Sequence, residues 1–315
     1  MENPTSPQIA LGTMYFGTRQ SRDEAFPILD RFVDLGGTWL DTADNYAFWR
    51  DDTGFGGASE RMLGDWLAAN PGTRELVLIS TKVGADPLVA GSWPESMEGL
   101  APAVIDGALT RSLERLGTDH VDLYWAHVED RSVPLDDQVA AFGAVVADGR
   151  ARRIGASNHA SWRVERARSL ATASGVEPYT AVQLRQSYLQ PVSFAELPDG
   201  GHTLVTPESL DFVRSENLAL WAYSTLLSGA YAHPDRPLPA AYAHPGTERR
   251  RAAVDAVARE AGATANQVVL AWLLGGSPAI TPIVGVSSVA QLDEVMAARD
   301  VRLSAEQRNL LDSVS

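Results

Sequence analysis

Eight short apolar segments, rich in Val, Ile, Leu, Trp and Tyr, recur along the chain and alternate with segments of helical periodicity. Continuous apolar runs are typical of parallel strands covered by helices, and regular alternation predicts βαβ units. Eight such units predict an α/β fold, a (β/α)8 TIM barrel with its active site at the C-terminal face of the strands. The strands are expected at 9–13, 38–41, 76–82, 121–126, 151–156, 180–185, 218–223 and 280–284.

Helix boundaries follow from capping signals. Ser21 and Glu24 have the spacing of a capping box, as do Ser304 and Gln307, so a helix is expected to begin at each pair. Two long segments fit no minimal barrel and follow predicted strands on the catalytic face, where long loops are usually lids or binding loops. The remaining expectations are helices at 102–116, 136–147, 247–262 and 265–274 and the two long loops at 47–57 and 228–246.

Length and composition restrict the class of protein. A chain of 315 residues suits one barrel of roughly 250 residues with insertions, so we expect a single domain over 1–315. The absence of cysteine excludes disulfides and thiolate metal sites. With no signal peptide and no apolar run of ~18 residues, the expected location is cytoplasmic, without a membrane partner. The net charge of -14 opposes binding to nucleic acid.

Four residues with proton-transfer chemistry stand at or just after predicted strand ends: Asp41, Tyr46, Lys82 and His127. A lysine ammonium beside a tyrosine hydroxyl stabilises the phenolate, and an aspartate paired with that lysine keeps it charged. A histidine can hydrogen-bond a carbonyl and orient it. Together they make a general acid that protonates a carbonyl oxygen. Each residue alone also fits a structural role, as an ion pair, a packed ring or a satisfied interior histidine.

The order and spacing of several motifs make the sequence resemble an aldo-keto reductase over nearly its whole length. The motifs are Leu11-Gly12-Thr13-Met14-Tyr15-Phe16-Gly17, Asp41-Thr42-Ala43-x-x-Tyr46, Ser59-Glu60-x-x-Leu63-Gly64, Ser80-Thr81-Lys82, Arg111-Ser112-Leu113 through Asp122-Leu123-Tyr124, Ile154-Gly155-Ala156-Ser157-Asn158 and Ile283-Val284-Gly285-Val286-Ser287. The resemblance implies that Tyr46 is the proton donor, that Lys82 lowers the pKa of Tyr46, that Asp41 supports the lysine and that His127 positions the carbonyl. No metal is implied.

The resemblance also implies an extended nicotinamide dinucleotide, NADPH or alternatively NADH. Asp41, Thr13 and Met14 lie where the first strands meet it; Ser157, Asn158 and Gln183 match contacts to the carboxamide; Tyr223 matches the aromatic ring that stacks on the nicotinamide. Contacts to the pyrophosphate match Ser224, Leu226 and Ser228. The residues that open the helix after the eighth strand match a phosphate site, since helix N-termini bind phosphate; they are Gly285, Ser287, Gln291 and Glu294.

Two positions depart from the family pattern. Ser288 stands where a basic residue often grips the 2'-phosphate, and Val295 replaces an asparagine that commonly contacts adenine. Arg236 or the run 249–251 are candidate substitutes. Aromatic side chains near the predicted mouth are candidate walls of a substrate pocket that suits a sugar or an aryl carbonyl: Tyr15, Phe48, Trp49, Trp93 and Trp125.

The sequence therefore predicts an NAD(P)H-dependent oxidoreductase that reduces a small-molecule aldehyde or ketone, or oxidises the alcohol. Two alternatives remain at this point. One is a regulatory subunit that binds the cofactor and turns over weakly. The other is a Schiff-base lyase that uses Lys82 at a barrel strand end, a role that the Asp41 partner disfavours. The physiological substrate and the oligomeric state are left open.

Overall fold

The eight predicted strands close into one parallel barrel, with the strands in chain order around it. The computed structural model describes residues 8–195, 197, 201–233 and 235–314. The predicted barrel is confirmed, and every predicted strand overlaps an observed one. The strands are β1 (Ala10–Gly12), β2 (Trp39–Asp41), β3 (Leu78–Val83), β4 (Leu123–Ala126), β5 (Ile154–Ser157), β6 (Ala181–Arg185), β7 (Ala219–Tyr223) and β8 (Ile280–Val284).

The described residues also form ten α-helices, and the predicted capping pairs mark two of their starts. Ser304 Oγ accepts from Gln307 N at 3.2 Å while Gln307 Oε1 accepts from Ser304 N at 2.9 Å; Glu24 accepts from Ser21 N at 2.8 Å. None of these helices is long and apolar enough to cross a membrane. They are α1 (Arg22–Asp34), α2 (Ala58–Ala69), α3 (Pro102–Leu116), α4 (Leu135–Ala147), α5 (Ser161–Ser174), α6 (Pro207–Ser215), α7 (Pro245–Ala261), α8 (Ala265–Leu274), α9 (Val289–Met296) and α10 (Ala305–Ser313).

Residues 10–183 and 285–289 form one compact unit. Within it, parallel registers pair Asp41 with Ser80, Lys82 with Trp125, and Ser157 with Gln183. Almost every residue of these strands is buried, as expected for parallel strands covered by helices. The register places the C-terminal ends of β2 to β6 at one edge of the sheet, where their polar residues converge.

Residues 8–9, the described part of 184–284, and 290–314 form the other unit. Strands β7 and β8 pair through Leu220 with Ile280. Tyr188 is fully buried there, donates to Leu311 O at 2.8 Å, and carries the Arg250 guanidinium 5.1 Å above its ring. The single-domain organisation over 1–315 stays a prediction.

Both predicted long loops contain short 3₁₀ turns. The 47–57 loop holds one at Phe48–Arg50 and is tied to the segment after β3 through Gly56 N, which donates to Asp86 Oδ1 at 3.0 Å. The described part of the 228–246 loop holds one at Ala240–Tyr242. The following helix begins at Pro245, two residues before its predicted start, because proline suits the first turn of a helix.

Candidate active site

A buried ion pair joins the ends of two neighbouring strands. Asp41, the last residue of β2, accepts from Lys82 Nζ at 2.7 Å through Oδ2, and both side chains are fully buried. The ammonium also donates to the carbonyl of Thr42 at 2.7 Å. Both residues lie where the register brings β2 and β3 together, so the sheet itself fixes the pair.

Tyr46 completes a triangle with these two groups. It lies in the turn that follows β2, and its hydroxyl accepts from Lys82 Nζ at 2.5 Å and donates to Asp41 Oδ2 at 3.0 Å. The lysine nitrogen lies 4.4 Å from the centre of the Tyr46 ring. A phenol that touches an ammonium and a carboxylate, and is itself half-buried, is placed for proton transfer at the surface of the site.

Two opposing effects act on the ammonium of Lys82. Complete burial lowers the pKa of Lys82, while the charge and hydrogen bond of Asp41 raise it. The direct contact with Asp41 keeps Lys82 protonated, and burial makes this ammonium a stronger acid. Lys82 is therefore a strongly polarising cation beside the phenol. Such a cation favours negative charge on the phenol oxygen as the proton leaves.

His127 lies beside Tyr46. It follows β4, where its backbone N–H donates to Val83 O at 2.9 Å. Its ring centroid lies 6.0 Å from that of Tyr46, with the planes 73° apart. The structure therefore brings all four residues of the predicted tetrad together.

The second oxygen of Asp41 is held by the neighbouring strands. Asp41 Oδ1 accepts from Ser80 Oγ at 2.8 Å and from Gln183 Nε2 at 3.5 Å. From the sequence, Ser80 was predicted only as part of the Ser80-Thr81-Lys82 motif. The two-residue period of β3 is the signal that was available, because it puts Ser80 on the same face as Lys82.

Asn158 links three strand ends. Its backbone N–H donates to Gln183 O at 3.1 Å, and its side-chain amide donates to His127 O and Ser157 Oγ, both at 3.2 Å. It adopts a left-handed backbone with φ of 58°, which asparagine tolerates better than most residues. The three residues predicted to contact a carboxamide, Ser157, Asn158 and Gln183, thus lie beside the tetrad and offer amide and hydroxyl groups that fit one.

Thr13 forms hydrogen bonds with the end of β2. It is fully buried, its Oγ1 donates to Asp41 O at 3.0 Å and lies 2.8 Å from Ser59 Oγ, which lies 2.7 Å from Thr42 Oγ1. The predicted cofactor residue therefore has a buried hydroxyl with structural partners. Met14, the next residue, is half-buried.

The predicted pyrophosphate residues lie after β7 in the other unit. Ser224 and Ser228 have left-handed backbones, with φ of 57° and 56°, and Gly229 follows with φ of 88°. Leu227 is left-handed as well, with φ of 48°, so three consecutive residues share this backbone hand in a tight turn after β7. Arg236 Nη1 donates to Ser228 O, which brings a guanidinium to this segment.

Tyr223, the predicted stacking residue, is half-buried at the end of β7. Its hydroxyl lies 2.8 Å from His202 Nδ1, and the two rings are 5.5 Å apart. His202 was not predicted from the sequence, because it belongs to no motif and lies in a loop. The residues predicted to hold a phosphate after β8 differ in their surroundings. Ser287 and Gln291 are exposed, as are Gly285 and Ser288. Glu294 instead accepts a hydrogen bond from Thr264 Oγ1 at 2.7 Å.

The aromatic residues named as pocket walls differ in access. Trp49 is 51% exposed and stands edge-on to Tyr15 and Phe48, with ring centroids 6.4 and 5.0 Å away. Phe48 lies 5.9 Å from Trp93. Trp125 is fully buried in β4 and its ring covers Gly155, so it is the least accessible of the five.

A second buried carboxyl, Asp44, lies near Lys82 and escaped the sequence reasoning. It is 3% exposed, and burial raises its pKa well above the usual range. The triplet Thr42-Ala43-Asp44 gave no signal, because a turn aspartate is usually a solvated cap. Within the described residues, no group of His, Asp or Glu side chains has the arrangement of a metal site.

The chain belongs to the aldo-keto reductases: the model of the Aldo/keto reductase family matches residues 8–315. It is 29% identical to an uncharacterized oxidoreductase, YrpG, of Bacillus subtilis, over 98% of this chain and 91% of the relative. It is 28% identical to an aryl-alcohol dehydrogenase of Pestalotiopsis microspora, over 91% of this chain and 71% of the relative. It is 30% identical to the aldo-keto reductase yakc [NADP(+)] of Schizosaccharomyces pombe, over 96% and 86% respectively.

Proposed function

We propose that this protein reduces an aldehyde or ketone to the alcohol, or catalyses the reverse reaction, with Tyr46 as general acid and NADPH as hydride donor. One observation carries the proposal: the Tyr46 hydroxyl lies 2.5 Å from Lys82 Nζ and 3.0 Å from Asp41 Oδ2. A phenol held between a cation and an anion can give up a proton and take it back. Carbonyl reduction needs that proton at the oxygen that gains negative charge.

Each residue of the tetrad has a separate task. Tyr46 donates its proton to the carbonyl oxygen, Lys82 stabilises the phenolate that remains, and Asp41 holds the ammonium in place. His127 orients the carbonyl by a hydrogen bond. The nicotinamide cofactor supplies the hydride when bound, and Ser157, Asn158 and Gln183 would hold its carboxamide.

The preferred cofactor is NADPH by a modest margin over NADH. One relative carries NADP(+) in its name. The segment with left-handed residues at 224 and 228 would take the pyrophosphate, and the start of α9 would take the 2'-phosphate through N–H groups and serine hydroxyls. A serine at position 288 makes this grip weaker than an arginine would.

The proposed substrate is a small aryl carbonyl or alcohol. Tyr15, Phe48 and Trp49 pack edge-to-face beside the turn that carries Tyr46, and flat rings suit such walls. A relative is named an aryl-alcohol dehydrogenase. A small-molecule partner, a cytoplasmic location and the lack of a nucleic-acid partner remain predictions from the sequence.

The lyase alternative rests on the lowered pKa of Lys82, since a neutral lysine is a nucleophile. The contact of 2.7 Å with Asp41 argues against it by keeping the amine protonated. Borohydride added with a carbonyl substrate separates the two: the reductase leaves Lys82 unmodified, and a lyase gains the mass of the reduced substrate on Lys82.

The test of the proposed function is a panel of aryl, aliphatic and sugar-like carbonyls, followed by the absorbance of NADPH and of NADH. Aryl aldehydes or ketones should consume NADPH fastest. Binding of both cofactors is titrated separately by fluorescence, so that a missing substrate is distinguished from a missing cofactor. A parent protein that binds neither cofactor contradicts the oxidoreductase assignment.

A further inference from the structure

Asp44 is buried next to the tetrad without taking part in it. It stands three residues after Asp41, its backbone N–H donates to Lys82 O at 3.2 Å, and its side chain is 3% exposed. Among the described residues, no backbone N–H or hydroxyl donates to either of its carboxyl oxygens. An ionised carboxylate in such a position would lose its hydration without replacement.

The groups that face Asp44 are mostly acidic. Among these groups Glu98 raises the pKa of Asp44 most, by its charge and by a side-chain hydrogen bond. The charges of Glu60 and Asp86 raise it further. These carboxyls are already engaged: Glu60 with Arg115 at 2.7 Å, Glu98 with Gly84 N at 2.8 Å, and Asp86 with Gly56 N at 3.0 Å. Glu98 also lies 3.6 Å from Arg111.

The charges of this cluster do not balance. Four carboxyls, those of Asp44, Glu60, Asp86 and Glu98, face two guanidinium groups, Arg111 and Arg115. Lys82 adds no net charge because Asp41 neutralises it at 2.7 Å. Buried like charges favour the protonated form of one partner, and burial followed by Glu98 raises the pKa of Asp44 well above the usual range.

We propose that Asp44 holds a proton at neutral pH, shared with Glu98, and thereby keeps a second negative charge away from Lys82 and Tyr46. The Asp44 carboxyl donates to Glu98, whose other contacts hold the segment after β3. Asp44 is then a positioning residue that acts through the electrostatic field at Lys82. This role in catalysis rests on the proposed function, whereas the shared proton does not.

The shared proton has a direct readout. A protonated carboxyl has an infrared carbonyl band that an ionised one lacks. The parent protein should show this band at neutral pH, and Asp44→Asn should remove it while keeping the fold, because asparagine has the shape of the neutral acid. Asp52→Asn, an exposed carboxyl in the neighbouring loop, is the matched control and should leave the band unchanged.

The effect on catalysis is tested by the alkaline limb of the pH–rate profile, where the rate of carbonyl reduction changes as Tyr46 ionises. In Glu98→Gln, Asp44 loses its negative neighbour and ionises at lower pH, so a negative charge appears beside Lys82 and opposes ionisation of the Tyr46 phenol. The limb should move to higher pH by about one unit. Asp44→Asn keeps the neutral state and should move the limb less than Glu98→Gln does; Asp52→Asn should not move it, because solvent screens that charge.

The outcomes separate the two claims. An infrared band that Asp44→Asn does not change overturns the shared proton. A limb that moves no further in Glu98→Gln than in Asp44→Asn overturns the role of that proton in catalysis. A protein without carbonyl reductase activity overturns the proposed function, and the infrared band then still decides the state of Asp44.

Discussion

At the scale of single residues, the hydrogen bonds of Lys82 determine where the proton of Tyr46 points. The three ammonium protons have acceptors in Asp41, Thr42 and Tyr46. Because the Tyr46 oxygen accepts one of them, its own proton is directed away from the lysine, toward Asp41 at 3.0 Å. A substrate carbonyl must compete with Asp41 for that proton. The carboxylate therefore holds the donor ready until the substrate arrives.

Tyr46→Phe should remove this donor and little else. We expect the turnover number to fall by a factor on the order of 10²–10⁴, the usual contribution of general acid catalysis. The dissociation constant for NADPH should stay close to that of the parent, because Ser157, Asn158 and Gln183 are untouched. Steady-state kinetics with the best carbonyl and a fluorescence titration measure the two quantities. Turnover close to the parental rate would rule out Tyr46 as the acid.

Metal independence is a second expectation at this scale. His127 is placed by its neighbours to face Tyr46, and the described residues contain no ligand set for a metal. Dialysis against a strong chelator should leave the rate of carbonyl reduction unchanged within error. If the rate falls and returns when zinc is added, His127 acts as a ligand and the tetrad mechanism is wrong.

At the scale of elements, the sequence predicts the strands well because parallel strands buried on both faces are apolar runs. The tetrad can then be predicted from the strand ends, because the register makes the ends of neighbouring strands adjacent in space. The burial of Asp44 could not be predicted in this way. It depends on how the turn after β2 lies against the long segment after β3, and loop conformations follow from close packing rather than from periodicity. The contact of His202 with Tyr223 could not be predicted for the same reason.

The packing of β4 against β5 provides a test of the barrel interior. A methyl group added at Gly155 would collide with the ring of Trp125. Gly155→Ala should therefore destabilise the protein by about 1–3 kcal/mol, the usual effect of overpacking, measured by denaturant unfolding. Combining it with Trp125→Phe, whose smaller ring leaves room, should restore part of that loss. Strictly additive effects would mean that the two side chains do not meet.

The stability contributed by the junction between the 47–57 loop and the segment after β3 should depend on pH. Burial raises the pKa of Asp86 from 3.8 to about 6, partly offset by the hydrogen bond from Gly56. The folded state therefore binds more protons than the unfolded state between these values, so the contribution of Asp86 to stability falls as pH rises from about 4 to about 6. Above that window the loss is complete.

Asp86→Asn should remove this dependence, because asparagine keeps an acceptor for Gly56 and does not ionise. Above pH ~6 the variant should be more stable than the parent by on the order of 1 kcal/mol, a value reduced by partial exposure to solvent. Near pH ~4 the two should unfold alike. Thermal unfolding across this range measures the difference; a constant gap at all pH values would show that Asp86 is not the titrating group.

At the scale of the whole molecule, the net charge of -14 opposes every phosphate that the proposed cofactor brings. The affinity must then come from local groups, which act at short range where salt screens them least. Arg236, directed at Ser228 O, is one such group within its unit. The start of α9 offers N–H groups and the exposed Ser287 and Ser288 but no cation of its own. This imbalance predicts a modest preference for NADPH and leaves room to increase it.

Ser288→Arg tests whether this position faces the 2'-phosphate. A guanidinium forms two charge-assisted hydrogen bonds with a phosphate, so the dissociation constant for NADPH should fall about tenfold while that for NADH stays nearly unchanged. Ser174→Arg, an exposed site in α5, adds the same charge elsewhere and should affect neither cofactor. The gain should shrink as salt is raised, since part of it is Coulombic. Equal tightening for both cofactors in Ser288→Arg would mean that the arginine acts on a group that the two cofactors share.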